Sequence, residues 1–251
     1  MTLILLKREL SIILKNINSY LLYLFIFPSL LYLFLVTPFY DILRSASGMH
    51  YIYHAFPAIL FLSSSFLSFC IPLFIIKRDV YDSNYFTYLQ TLNINIYIYK
   101  IYLIIVSLCL SYIQFFISLF ILTQLASSII ITFNQIFMFS LAIFPIILLM
   151  SLIGILFSNF TASNHSMIMT LIFIFLFLAF GVGSFIPIEY FSETFIHVIK
   201  KYNLFYHLND MFIRILQSES ISIGIPLTTI FVSVVLFFIN YYITIKRLGK
   251  Y

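Results

Sequence analysis

The sequence predicts an all-α integral membrane protein with six transmembrane helices and no separate soluble domain. Three observations carry this. First, 63% of the 251 residues are apolar and only 8% are charged, with a mean hydropathy of +1.12. A soluble domain needs about a quarter of its residues charged to cover its surface, so lipid must be the main solvent. Second, the charges fall in short clusters that divide the chain into apolar lengths, and from Ile101 to Ile188 there is no Asp, Glu, Lys or Arg. Third, a hydrocarbon core of about 30 Å takes roughly 20 helical residues. Six such lengths with their connections use up the chain, so residues 1–251 read as one membrane domain.

The first element, residues 1–19, is predicted to be an amphipathic helix and not a span. Leu3, Leu6, Leu10, Ile13 and Ile17 recur every three or four residues, with Lys7, Arg8 and Lys15 off that stripe. Such a helix lies in the interface with its basic face toward anionic headgroups. Span one follows at about 20–36. Ser45-Ala46-Ser47 has the small-residue character of a signal cleavage site, but Arg44 directly before it and the long amphipathic lead-in mark the span as retained. A polar stretch with Asp41, Arg44 and Gly48 precedes span two, about 55–76, which ends at Lys77-Arg78-Asp79. Residues 77–95 are polar enough to leave the bilayer. The uncharged run beyond them is too long for two helices. Weak breaks at Gln124–Asn134 and Ser158–Ser166 divide it into spans at about 97–123, 135–157 and 166–187. The charged segment 188–222 cannot span, and the sixth span, about 223–245, ends at Lys246-Arg247.

Within 188–222, Pro187 and Asn203 punctuate the chain, and Phe191, Phe195, Ile196 and Ile199 form an apolar stripe between charges. This spacing predicts two short helices returning toward the outer leaflet, with Asp210 and Arg214 paired one turn apart. Six spans place both termini on one side. That side carries Lys7, Arg8, Lys15, Lys77, Arg78, Lys100, Lys246, Arg247 and Lys250, nine basic residues against four opposite, Arg44, Lys200, Lys201 and Arg214. The positive-inside rule makes the termini and the 77–95 loop cytoplasmic.

Several chemistries are excluded by spacing. There is no G-x-x-x-x-G-K-[ST], the only Gly-Lys pair being Gly249-Lys250, so the chain has no nucleotide-hydrolysing P-loop. There is no H-E-x-x-H. Gly181-Val182-Gly183-Ser184 reads as a glycine-eased helix end before Pro187. His50 and His54 lack a third metal ligand nearby, and Cys70 and Cys109 lie in apolar runs, so neither metal nor disulfide is supported. The net charge of +5 reflects clusters at span ends and implies membrane lipid, not nucleic acid, as the partner. The 31 Phe and 19 Tyr, with no Trp, are read as a compositional bias and do not identify a cargo. Apart from His54 and His165 near span ends, the spans hold no ionisable group of the kind that binds a coupling ion, which disfavours ion-coupled transport.

Several motifs recur in a telling order. Leu5-Leu6-Lys7-Arg8-Glu9-Leu10 leads into a span broken at Pro28. Lys77-Arg78-Asp79 is followed by Tyr85-Phe86-Thr87-Tyr88-Leu89-Gln90-Thr91-Leu92 and then by Lys100. Gly154-Ile155-Leu156-Phe157-Ser158 closes span four. Phe185-Ile186-Pro187, Glu189 to Glu193, Asn203-Leu204-Phe205-Tyr206 and Asp210 to Arg214 then follow one another. In this order the chain resembles the ABC-2 type membrane subunits of bacterial ATP-driven exporters, over essentially its whole length, although the Pro residues usual after the coupling segment and after the Asn203 position are absent.

The resemblance implies a permease subunit in the bacterial cytoplasmic membrane, with no enzymatic activity and no cofactor of its own. ATP would be bound by a separate P-loop ATPase subunit. A second copy or a related permease would complete the path for a hydrophobic, lipid-like, drug or lipid-linked glycan cargo. It further implies an ATPase-coupling interface at Lys77, Arg78, Asp79, Asp82, Tyr85, Tyr88, Leu89 and Leu92, and an outer segment marked by Pro187, Glu189, Glu193, Asn203, Asp210 and Arg214. The alternative reading is a non-transporting membrane assembly or immunity protein that acts by binding alone.

Overall fold

A computed structural model describes residues 2–39, 51–83, 96–126, 129–161, 163–219 and 222–248. Most of these residues are helical, and there is no strand among them. The helices are α1 (Thr2–Lys15), α2 (Ile17–Leu31), α3 (Ile52–Ile76), α4 (Ile96–Leu125), α5 (Phe133–Ser158), α6 (Asn164–Leu176), α7 (Glu193–Tyr202), α8 (Leu204–Leu216) and α9 (Gly224–Leu248). Three of them run on in wider or tighter turns. α2 continues in a π-helical turn, Tyr32–Val36, and a 3-10 turn, Thr37–Phe39; α3 continues in a π-helical turn, Lys77–Asp82, and α6 in another, Phe177–Gly181. Six of the helices, α2, α3, α4, α5, α6 and α9, are long and apolar enough to cross a membrane.

α3 is the axis of the bundle. It is buried along most of its length and packs most heavily on α5 and α4, then on α8. The α3–α4 seam is built from small polar side chains: Ser63 and Ser118 meet at 3.0 Å, as do Ser68 and Ser107. In lipid, helices associate through close backbone approach and hydrogen bonds, not through a hydrophobic drive. The α3–α5 seam is tighter still. A Cβ placed on Gly154 would lie 2.4 Å from the Phe69 carbonyl oxygen and 2.9 Å from Pro72 Cγ. α2, α6 and α9 lie at the periphery and expose apolar faces such as Phe34, Phe173 and Phe231, as the lipid-facing side of a bundle requires.

Pro28 was expected to break the first span, and it does not. α2 runs straight through it. Proline has no N–H to give the carbonyl four residues back, here Leu24, and in hydrocarbon no water replaces it. Buried Gln114 of α4 donates its Nε2 to the Leu24 oxygen at 3.1 Å. The same device recurs at Pro72: the orphaned Ser68 oxygen accepts from the Ser107 hydroxyl at 2.8 Å. Ser107, Ser111, Gln114 and Ser118 recur at steps of four, three and four, so one polar stripe of α4 serves both prolines.

The ends of the helices alternate as six crossings require. On the side of the N-terminus, Lys77 at the end of α3 donates to Asn164 at the start of α6. On the same side Lys100 of α4 donates to the Asn240 carbonyl of α9, and the Tyr97 and Tyr241 rings stack at 4.0 Å. At the opposite end, Tyr51 donates to the Phe185 oxygen at 2.6 Å, and His54 Nε2 lies 3.1 Å from the Gly183 oxygen. Gln135, whose side chain closes a capping box with Thr132, donates to the Leu216 oxygen at 2.8 Å.

Candidate functional site

The most densely charged part of the interior lies where α1 meets the base of α3. Arg8 grips Asp79 with both guanidinium nitrogens, at 2.8 and 3.1 Å. Arg78 grips Glu9 in the same bidentate way, at 2.7 and 3.1 Å, and its Nε donates to Asp79 at 2.9 Å. Two tyrosines of α4 complete the cluster: Tyr99 donates to Asp79 at 3.2 Å and Tyr102 to Glu9 at 2.7 Å. Asp79 is wholly buried and the Glu9 side chain is 3% exposed. Carboxylates this deep persist only when paired and hydrogen-bonded on every side, and two fork-shaped guanidiniums supply that geometry. The π-helical turn at Lys77–Asp82 carries Arg78 and Asp79 into it.

This arrangement departs from the expected orientation of the first helix. Lys7 and Lys15 are exposed, but Arg8 turns inward to Asp79, and Leu5 and Glu9 form the face buried in the bundle. Leu3, Leu10 and Ile17 of the apolar stripe are exposed and Leu6 and Ile13 are half-buried. The charge balance accounts for the difference, since Asp79 and Glu9 need two cations and the base of α3 offers only Arg78 at the right place. Of the coupling residues read from the sequence, Lys77, Arg78, Asp79 and Asp82 are therefore at the foot of α3, with Arg78 and Asp79 engaged within the chain. Tyr85, Tyr88, Leu89 and Leu92 lie outside the described residues.

Beside the ion cluster a groove of about 760 Å³ opens between α1, α2, α3 and α6, with Leu110 of α4 at its back. Tyr23, Leu24, Phe66, Cys70 and Leu171 make its wall apolar, and Glu9, Lys77, Arg78 and Asp82 stand at its end on the side of the N-terminus. α3 is otherwise the most enclosed helix, yet Phe74, which lines this groove, is 47% exposed.

At the opposite end the segment that follows Pro187 forms two helices, α7 and α8. α6 stops because Gly183 takes φ +76°, a left-handed conformation that favours glycine. Pro187 is buried at the start of a 3-10 turn, while Glu189 and Glu193 are exposed, Glu193 in the first turn of α7. Asn203 caps α8: its Oδ1 accepts from the Phe205 and Tyr206 amides, and its Nδ2 donates to the Gly181 oxygen. α8 buries Leu208, Met211, Phe212 and Ile215 against α3 and α5. Asp210 and Arg214 form the expected one-turn pair at 2.7 Å, and the hydrogen bond from Arg214 to Asp210 raises the guanidinium pKa above its ordinary value. Burial, helped by Asp210 and Glu189 and opposed by Arg214, pushes the Tyr206 hydroxyl up to about 12. Among the described residues no group of His, Cys, Asp and Glu is placed to hold a metal, and both cysteines are free.

The sequence model of the ABC-2 type transporter family matches residues 2–217, from the first helix to the end of the outer segment. The chain belongs to the ABC-2 type transporter family. It is a multi-pass membrane protein and a transport permease component, not itself catalytic. No curated protein and no solved structure matches it. The ABC-2 match begins at α1, so the ion cluster that joins α1 to α3 and α4 lies wholly within the family region. The pairing of Arg8 and Glu9 with Arg78 and Asp79 escaped sequence reading. The two opposite-charge dipeptides, Arg8-Glu9 and Arg78-Asp79, are the signal that was there to find. The proline-serving stripe of α4 was likewise present as spacing but hidden in a run that otherwise reads as plain hydrophobic.

Proposed function

We propose that this ABC-2 permease is the membrane half of an ATP-driven exporter in the bacterial cytoplasmic membrane, powered by a separate P-loop ATPase. ATP is bound by that subunit and no cofactor by this chain. Two copies, or this chain with a related permease, enclose the path, and both termini and the 77–95 loop face the cytoplasm. The observation that carries the reading is the attachment of the foot of α3. Through Arg78, Asp79 and Lys77 it is fastened to α1, α4 and α6 at once. A push delivered to the loop that follows Asp82 would therefore move the first helix and three spans together, as rigid-body switching requires. The apolar groove alongside suits a hydrophobic or lipid-like cargo.

On a helix, Tyr85, Tyr88, Leu89 and Leu92 share one face, and buried aromatic and aliphatic anchors dominate the energy of an interface. Leu89→Asp is expected to release the ATPase and stop export, while Asp82→Asn leaves the ATPase bound. Co-purification of the ATPase alongside a transport assay measures this. An ATPase retained by a normally expressed Leu89→Asp protein removes the loop as the docking element. Failure of the wild-type chain to retain any ATPase supports instead an assembly or immunity protein acting by binding alone.

A further inference from the structure

The groove beside the ion cluster has two mouth charges that the cluster does not use. Arg8, Arg78, Glu9 and Asp79 neutralise one another. Lys77 and Asp82 also line the groove, and neither has an ion-pair partner among the described residues. Lys77 gives one hydrogen bond to Asn164, which leaves an ammonium two further donors. The π-helical winding sets their relation. The Ser83 amide donates to the Arg78 oxygen five residues back at 3.0 Å, the i→i+5 hydrogen bond of a π-helical turn, and Lys77 and Asp82 are the first and last residues of that turn.

The groove presents a positive and a negative group from one helical turn at one end and an apolar wall of Tyr23, Leu24, Phe66, Cys70 and Leu171. We propose that it is a loading site for a zwitterionic amphiphile taken from the leaflet on the side of the N-terminus. The anionic group of the head would meet Lys77, its amine would meet Asp82, and its chain would lie along the wall. A singly charged lipid of either sign meets one attractive and one repulsive group at this mouth, which is how a site discriminates by charge. The volume of about 760 Å³ is within the usual range of small-molecule sites, roughly 300–1,000 Å³. Entry is from the bilayer, where Phe74 leaves the wall of α3 exposed. The assignment of this lipid as cargo rests on the permease reading above, whereas its binding does not need the ATPase.

The test uses the purified full-length chain in detergent, without any ATPase, so that its outcome is separate from the docking experiment. Phosphatidylethanolamine with a photoactivatable acyl chain is compared with phosphatidylglycerol and with a cationic lipid carrying the same chain. Phosphatidylethanolamine is expected to label peptides containing Tyr23, Phe66 and Cys70 about ten-fold more than either, the worth of one charge-assisted contact. Asp82→Lys should turn the preference toward phosphatidylglycerol and Lys77→Asp toward the cationic lipid. The double exchange should restore phosphatidylethanolamine. A misfolded variant cannot gain a new preference, so the exchange reads specificity and not stability. Equal labelling by all three lipids, or a preference unmoved by Asp82→Lys, overturns the proposal. So does efficient disulfide formation between two copies of a Phe74→Cys variant with no lipid label in the groove, which assigns this face to a second copy.

Discussion

Asp79 accepts hydrogen bonds from Arg8, Arg78 and Tyr99 while wholly buried, and that concentration of donors makes it sensitive to single changes. Removing its charge leaves two guanidiniums facing only Glu9. Breaking a buried ion pair from one side costs about 3–5 kcal/mol, because the stranded charge keeps its desolvation penalty. Asp79→Asn is therefore expected to lower the unfolding midpoint of the monodisperse protein in detergent by this order of energy. The double variant Arg8→Gln with Asp79→Asn leaves Arg78 and Glu9 as a balanced pair and should recover part of the loss. Additive effects of the two substitutions in a double-mutant cycle would mean that the charges are not coupled. Gln114 follows the same logic with neutral groups. Its amide replaces a donor that Pro28 cannot supply, which is why a buried glutamine is tolerated in the middle of an apolar helix.

At the scale of helices, the α3–α5 seam depends on one missing side chain. The contact of 2.4 Å from a Cβ at Gly154 is to the Phe69 backbone oxygen, which cannot rotate away as a side chain would. Gly154→Ala is expected to force the helices apart and cost about 1–3 kcal/mol, the usual penalty of overpacking. Gly224→Ala, where a Cβ meets nothing within 4 Å, is the control. A thermal shift that is the same for both variants would show that the seam relaxes freely. The helices themselves were legible in the sequence, because lipid demands long apolar lengths and charges end them. α7 and α8 were legible through Asn203, which caps α8, and through the stripe around Ile199. The run of α3 through Lys77 to Asp82 was not, since a charged stretch reads as a connection until its partners are known. Those partners, Arg8 and Glu9, stand 71 and 69 residues earlier. Hydrophobic periodicity carries no information about pairs that distant. The polar stripe of α4 was visible as spacing, but its purpose exists only once Pro28 and Pro72 are set beside it.

For the whole molecule, the contacts at the helix ends fix which ends lie together, while the proposal that the N-terminal side is cytoplasmic rests on the charges. The foot of α3 with the starts of α4 and α6 and the end of α9 share the side of the N-terminus. α7 and α8 lie at the other end with Tyr51, His54 and Gln135. The proposed orientation rests on the nine basic residues against four. Leaving out Arg8 and Arg78, which are neutralised within the fold, the bias is still seven to four, and Arg214 on the minority side is itself paired with Asp210. Ser83 and Glu219 are both exposed and lie at opposite ends of the bundle. In a background with Cys70 and Cys109 replaced, Ser83→Cys should react with a membrane-impermeant maleimide only after cells are opened. Glu219→Cys should react in intact cells. The reversed pattern would keep the helix arrangement and invert the protein in the membrane, placing the 77–95 loop beyond the reach of any cytoplasmic ATPase. Labelling of both sites in intact cells would put the two ends on one side, which six alternating crossings do not allow.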